Sequence, residues 1–183
     1  MPEAVTHILI PILLVAIFRD FYKSINKKKF PLHYVLIAGL GGVLPDIDIV
    51  FSVIQNLIGI QTWDIHKTFT HSLFFPLILF ALFIILKPVN VKARICNIGK
   101  HNLKLSIISL MLSIGILIHI LLDTLFRGPS YLFYPLLITD YAIYIFDYLP
   151  RELRSLAPPL LDGILLVIWL AYLELKHKIS DFI

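Results

Sequence analysis

Charge is scarce in this chain. Only 15% of its 183 residues are Asp, Glu, Lys or Arg, against 58% hydrophobic residues, and the mean hydropathy is +0.88. A soluble domain is excluded, since a fold of this length has too little interior to hide so much apolar surface. Cysteine is nearly absent. Cys96 stands alone, so no disulfide within the chain can staple the fold. The surplus of base over acid, 16 residues against 12, is small and gathered in a few clusters. It speaks of orientation in a membrane and not of nucleic-acid binding. No internal repeat or low-complexity linker is present. Nor does a small-residue cleavage pattern follow the first apolar run. The stretch RDFYKSINKKKF follows instead, so that run is expected to be a retained anchor.

What remains is apolar segments. A helix needs about 20 apolar residues to cross a hydrocarbon core of ~30 Å. Five candidates emerge: Ala4 to Phe18, His33 to Leu44, Ser72 to Leu86, Leu103 to Phe126, and Leu160 to Leu175. The second can continue past Pro45 toward Ile60 as a broken or re-entrant piece. Between the fourth and fifth lies an aromatic stretch broken by Gly128, Pro129, Pro135 and Pro150, with Asp140 and Asp147 inside it. Its composition suits segments lying in the interface, where Tyr is favoured. The expectation is an all-α, polytopic transmembrane helical bundle of about five spans plus interfacial or re-entrant segments, forming a single domain over residues 1–183.

Basic residues follow the first segment (RDFYKSINKKK), the third (KPVNVKARICNIGKHNLK) and the fifth (KHK). Five crossings put all three clusters on one side, which the positive-inside rule assigns to the cytoplasm. In a plasma membrane the N-terminus is then outside and the C-terminus inside. On that topology the polar residues converge. His7 opens the first segment, and LPDID, with Asp46 and Asp48, ends the second. His66 and His71 open the third, and HILLD, with His119 and Asp123, closes the fourth. All face the extracytoplasmic side, and Asp162 begins the fifth segment there too.

Each motif alone has a plain structural reading. His119 and Asp123 are spaced i, i+4 on one helix face and could be a hydrogen-bonded pair. Asp46 and Asp48 after a proline could be a cap or turn, and HKTFTHS an ordinary capped helix start. Together they read differently. Ionisable groups at membrane depth are costly and usually functional, and imidazole with carboxylate is the ligand set of zinc and similar divalent ions. A metal site at the outer interface is therefore expected.

The series His7, GGVLPDID, HKTFTHS and HILLDTLFRG with a following YP resembles the YdjM-type membrane-bound metal-dependent hydrolases, from His7 to about Pro135. Through them it is distantly similar to the zinc-dependent phospholipase C and P1 nuclease group. The resemblance implies metal ligands at His7, Asp46, Asp48, His66, His71, His119 and Asp123, with Asp46 or Asp48 bridging. Two departures stand out. Lys67 replaces the family's common arginine, and the later His-x-x-x-Glu pair of the phospholipases has no counterpart, since His177 is the only histidine after His119. Two ions are thus expected sooner than three unless Asp140, Asp147 or Asp162 substitutes. Zinc is the first choice, with Mn or Mg as alternatives.

The implied chemistry is hydrolysis of a phosphoester by water activated at the metal. Asp46 or Asp48 would take the water's proton, and Lys67 and Arg127 would bind a phosphate oxygen. Membrane lipids are the expected partners and a lipid or other membrane-proximal phosphoester the expected substrate; no nucleic acid is expected. Two rivals stay open: an ion- or proton-coupled transporter, and a membrane protein whose metal is purely structural.

Overall fold

The computed structural model describes residues 4–26, 30–59, 68–88, 103–128 and 130–177, apart from the side chains of Asn56, Arg127 and His177. His66 and Lys67 lie outside the described residues, and so does the side chain of Arg127. The described chain is helical: α1 (Ala4–Asn26), α2 (His33–Gly41), α3 (Asp48–Ile58), α4 (Phe74–Leu86), α5 (Leu105–Leu122), α6 (Arg151–Arg154) and α7 (Ala157–His177). Among the described residues the only β pairing is an isolated bridge between Ser130 and Tyr141. The expected all-α membrane bundle is what folds.

The expected five spans are not confirmed. Among the described residues three helices are long and apolar enough to cross a membrane, and a fourth span exists if α2 and the piece after it count as one, bent by 52°. Helix α4 has 13 residues, about 20 Å at 1.5 Å per residue, and falls short of a full crossing. The direction of the helices nevertheless alternates. At one end of the bundle meet the starts of α1, α4 and α7 and the ends of α2 and α5. Thr6 at the start of α1 bonds Asp162 at the start of α7, whereas Tyr172 near the far end of α7 bonds Asp20 near the far end of α1. These two helices therefore run parallel, so Ala4 at the start of α1 and Lys176 near the end of α7 lie at opposite ends of the bundle.

Helix α5 is the centre, packed against α4, α2 and α1. Its crossing with α2 is a backbone contact made possible by small residues. A Cβ placed on Gly115 would collide with the Ala38 carbonyl and the Gly41 backbone, and one on Gly41 would collide with Leu112. Lipid offers no hydrophobic drive for helices to pair, so such close approach supplies the packing instead. The buried core below it is apolar, built from Ile12, Val15, Ala16, Val35, Ala38 and Met111.

After Gly41 the path breaks. The turn Leu44–Ile47 contains Pro45, which cannot continue the α-helical ladder, and α3 leaves at the new angle. Irregular backbone at membrane depth is tolerated only where protein covers it. Here α1 and α5 cover it, and the break carries Asp46 and Asp48 into the bundle.

Candidate metal centre

Three imidazoles and three carboxylates meet where the segments converge. His7 comes from the first turns of α1, Asp46 from the Leu44–Ile47 turn, and Asp48 from the start of α3. His71 comes from the short turn Phe69–His71, His119 from the last turn of α5, and Asp123 from the π-helical turn Asp123–Arg127 that follows. A π-helical turn is the kind of local departure often found at working sites. Burial is nearly complete: His71, His119 and Asp123 are fully buried, and only Asp46, at 16% side-chain exposure, opens outward.

Hydrogen bonds fix which atoms face the centre. His119 Nδ1 lies 2.7 Å from the Gly42 carbonyl oxygen. A carbonyl only accepts, so Nδ1 carries the proton and Nε2 presents its lone pair inward. Gly42 also lets α1 come close to this carbonyl, because a Cβ there would strike the His7 carbonyl. His71 is held likewise. Its Nδ1 lies 3.1 Å from the Thr70 hydroxyl and 3.4 Å from Asp48 Oδ2, while the Thr70 hydroxyl donates to the same Asp48 oxygen at 2.6 Å. That leaves His71 Nε2 facing inward. The Ser72 hydroxyl donates to the Phe69 carbonyl at 2.8 Å and holds the turn.

The inward atoms are electron-rich. His71 Nε2 and His119 Nε2 are 3.2 Å apart, and Asp46 Oδ1 lies 3.5 Å from the first and 3.7 Å from the second. Asp123 Oδ2 is 3.5 and 3.8 Å from the same two nitrogens, and Asp123 Oδ1 is 3.1 Å from His7 Nε2. The buried Asp46 Oδ1 has no hydrogen-bond partner among the described residues. Acceptors aimed at one another away from water repel unless positive charge sits between them. A divalent cation fits such a donor set. Two groupings bring their ligand atoms within 4.8 Å of one another, His7 with His119 and Asp123, and Asp46 with His71 and His119. Both can hold a metal ion.

The sequence-predicted residues divide as follows. Six of the seven expected ligands, His7, Asp46, Asp48, His71, His119 and Asp123, gather here; the seventh, His66, lies outside the described residues. Asp48 stands behind His71, with its oxygen on the far nitrogen. Asp162 bonds Thr6, Asp147 is exposed and pairs with Arg154 at 3.5 Å, and Asp140 is exposed; none of the three belongs to either grouping. Sequence reasoning missed the Gly42 carbonyl. Its signal was the GLGG run before LPDID, which marks backbone brought close to another helix.

Asp48→Asn should weaken metal binding by about 10- to 100-fold, the usual cost of losing a carboxylate behind a metal-bound imidazole. Titration of purified protein with a competing chelator would show it. An unchanged affinity would mean that Thr70 alone orients His71.

Comparison with protein families supports the same assignment of kind. The family model described as YdjM inner membrane protein matches residues 1–176. Neither the curated proteins nor the solved structures contain a match to this chain. With almost its whole length covered, the chain belongs to the YdjM inner membrane protein family, and within its helical membrane fold lies a buried His/Asp cluster that can hold a metal ion.

Proposed function

We propose that this protein is an integral-membrane metal-dependent hydrolase that cleaves a phosphoester of a lipid or another membrane-proximal substrate. The observation that carries the reading is the convergence of imidazoles and carboxylates from separate segments on one buried point at one end of the bundle. His7, Asp46, His71, His119 and Asp123 would hold the metal. When bound, a divalent ion supplies Lewis acidity toward a phosphoryl oxygen and lowers the pKa of water.

The residues around it do the rest. The bond to Gly42 leaves His119 one nitrogen to give, so the two groupings cannot both use it at once. Asp123 reaches both sides, with Oδ1 toward His7 and Oδ2 toward His71 and His119, and fits the bridging role if two ions are held. Asp46 is the partly open carboxylate of the cluster. With Oδ1 buried inside, the exposed remainder of the side chain faces outward, where it can accept a proton from attacking water. Lys67 and Arg127 are the cations proposed for a phosphate oxygen. We place the site at the extracytoplasmic interface, where a lipid head group would meet it. Cysteines replacing Lys28 and Lys92 should then react with a membrane-impermeant maleimide only after the cytoplasmic side is opened. Labelling of intact cells at either position would reverse the orientation.

One observation favours a second reading. Apart from Asp46, the cluster is almost sealed, and a closed site suits a structural ion. Hydrolysis of a panel of phosphomonoesters, phosphodiesters and phospholipids by metal-loaded protein separates the two. Turnover that a chelator abolishes and added metal restores supports the hydrolase. Full metal occupancy with no turnover across the panel supports the structural ion.

A further inference from the structure

A second polar constellation lies at the other end of α1 and α7, where the His/Asp cluster plays no part. Arg19, Asp20, Lys23 and Ser24 on α1 and Lys176 on α7 line an open cleft of about 500 Å³. Along α1 it is roughly 18 to 24 Å from His7, at 1.5 Å per residue. We propose that this cleft binds the phosphate of an anionic lipid head group in the leaflet opposite the His/Asp cluster.

Charge comes first. Arg19 is buried, 8% exposed, and fixed by two bonds, Nε to the Phe30 carbonyl at 2.9 Å and Nη1 to Asp20 Oδ1 at 3.1 Å. The other Asp20 oxygen accepts the Tyr172 hydroxyl at 2.9 Å. The one carboxylate of the cleft is thereby engaged by a guanidinium and a phenol. Lys23 and Lys176 have no ion-pair partner among the described residues, and both are exposed. Two ammonium groups beside a serine hydroxyl are a donor set for phosphate.

Depth comes second, and it selects the lipid over a dissolved anion. Aromatic rings surround the cleft on the same helix ends. Trp169 and Tyr172 stack at 5.4 Å on α7, and Tyr22 packs against both Phe18 and Phe30 at 6.1 Å. Tyr and Trp favour the head-group level of a bilayer, and lysines at that level attract anionic lipids. Immediately above, along both helices, the exposed surface is apolar, with Leu14, Ile17 and Phe18 on α1 and Ile168 and Leu170 on α7. A head group in the cleft would have its acyl chains against that surface.

The test uses the full chain in mixed micelles, with native mass spectrometry reading retained phosphatidylglycerol against phosphatidylcholine. Each lysine near an anionic surface contributes about fivefold in affinity. The double variant K23Q/K176Q should therefore lose the preference by roughly 30-fold while its metal content and any turnover stay unchanged. Glutamine keeps a polar, uncharged side chain only one atom shorter, both positions are exposed, and Arg19 is untouched, so the fold should be preserved; an unchanged thermal midpoint in phosphatidylcholine checks this. Equal retention of both lipids by the wild-type chain would overturn the proposal, as would a preference that survives in the variant. Inorganic phosphate that matches the lipid's effect in a phosphatidylcholine background would point to a soluble anion and overturn it too. None of these outcomes bears on the hydrolase reading, whose His/Asp cluster lies at the other end.

Discussion

Replacing His119 with alanine should empty the site of metal and end turnover. His119 belongs to both ligand groupings, so no alternative arrangement of the remaining groups escapes its loss. The same change strips the Gly42 carbonyl of the imidazole donor 2.7 Å away, in a place water does not reach. An unsatisfied buried acceptor costs about 1 to 3 kcal/mol, so a modest fall in thermal stability should accompany the loss. The control is His33→Ala, at the opposite end of α2 from Gly41. Both variants should insert in the membrane, but only His119→Ala should lack metal by elemental analysis. A metal-replete His119→Ala would show that the ion, if any, sits elsewhere.

Asp46→Asn should separate binding from chemistry. Asparagine keeps an oxygen donor and the shape of the side chain, so the variant should load at saturating metal. It cannot take a proton. If Asp46 is the group that accepts the proton of attacking water, turnover should fall by about 10²- to 10⁴-fold, the range for a lost general base. The measurement is kcat on one cleavable phosphoester, at metal concentrations where wild type and variant are equally loaded. A variant with undiminished kcat would remove Asp46 from the proton path and return that role to another group. Metal loss without recovery at any concentration would make Asp46 a ligand only.

Much of this was legible in the sequence, for physical reasons. Apolar runs of helical length cannot do anything but enter a membrane, and alternating runs with basic loops fix which segment ends meet. From that alone His7, LPDID, the His71 turn and HILLD fall at one end of the bundle. What the chain could not disclose is atomic. The separation of Asp46 from Asp48 by one residue gives no hint that one faces the other donors while its neighbour holds His71 from behind with Thr70. That division depends on the bend after Gly42. The tautomer of His119 depends on a carbonyl of another helix, and a backbone acceptor has no sequence signature beyond the glycines that let it approach. The expected five crossings are not confirmed among the described residues for a related reason. Hydropathy marks α4 as apolar, but where its first turn ends is set by the Phe69–His71 turn and the Ser72 bond, which trim it below a membrane's thickness.

The central claim is that segments distant in sequence build one metal site. Elemental analysis of the wild-type chain, purified without chelator and re-equilibrated with zinc, manganese or magnesium, tests it most directly. The account predicts at least one tightly held divalent ion per chain, lost when His119 or Asp123 is replaced by alanine and retained when His33 is. A wild-type chain that holds no divalent ion under any of these conditions would contradict it.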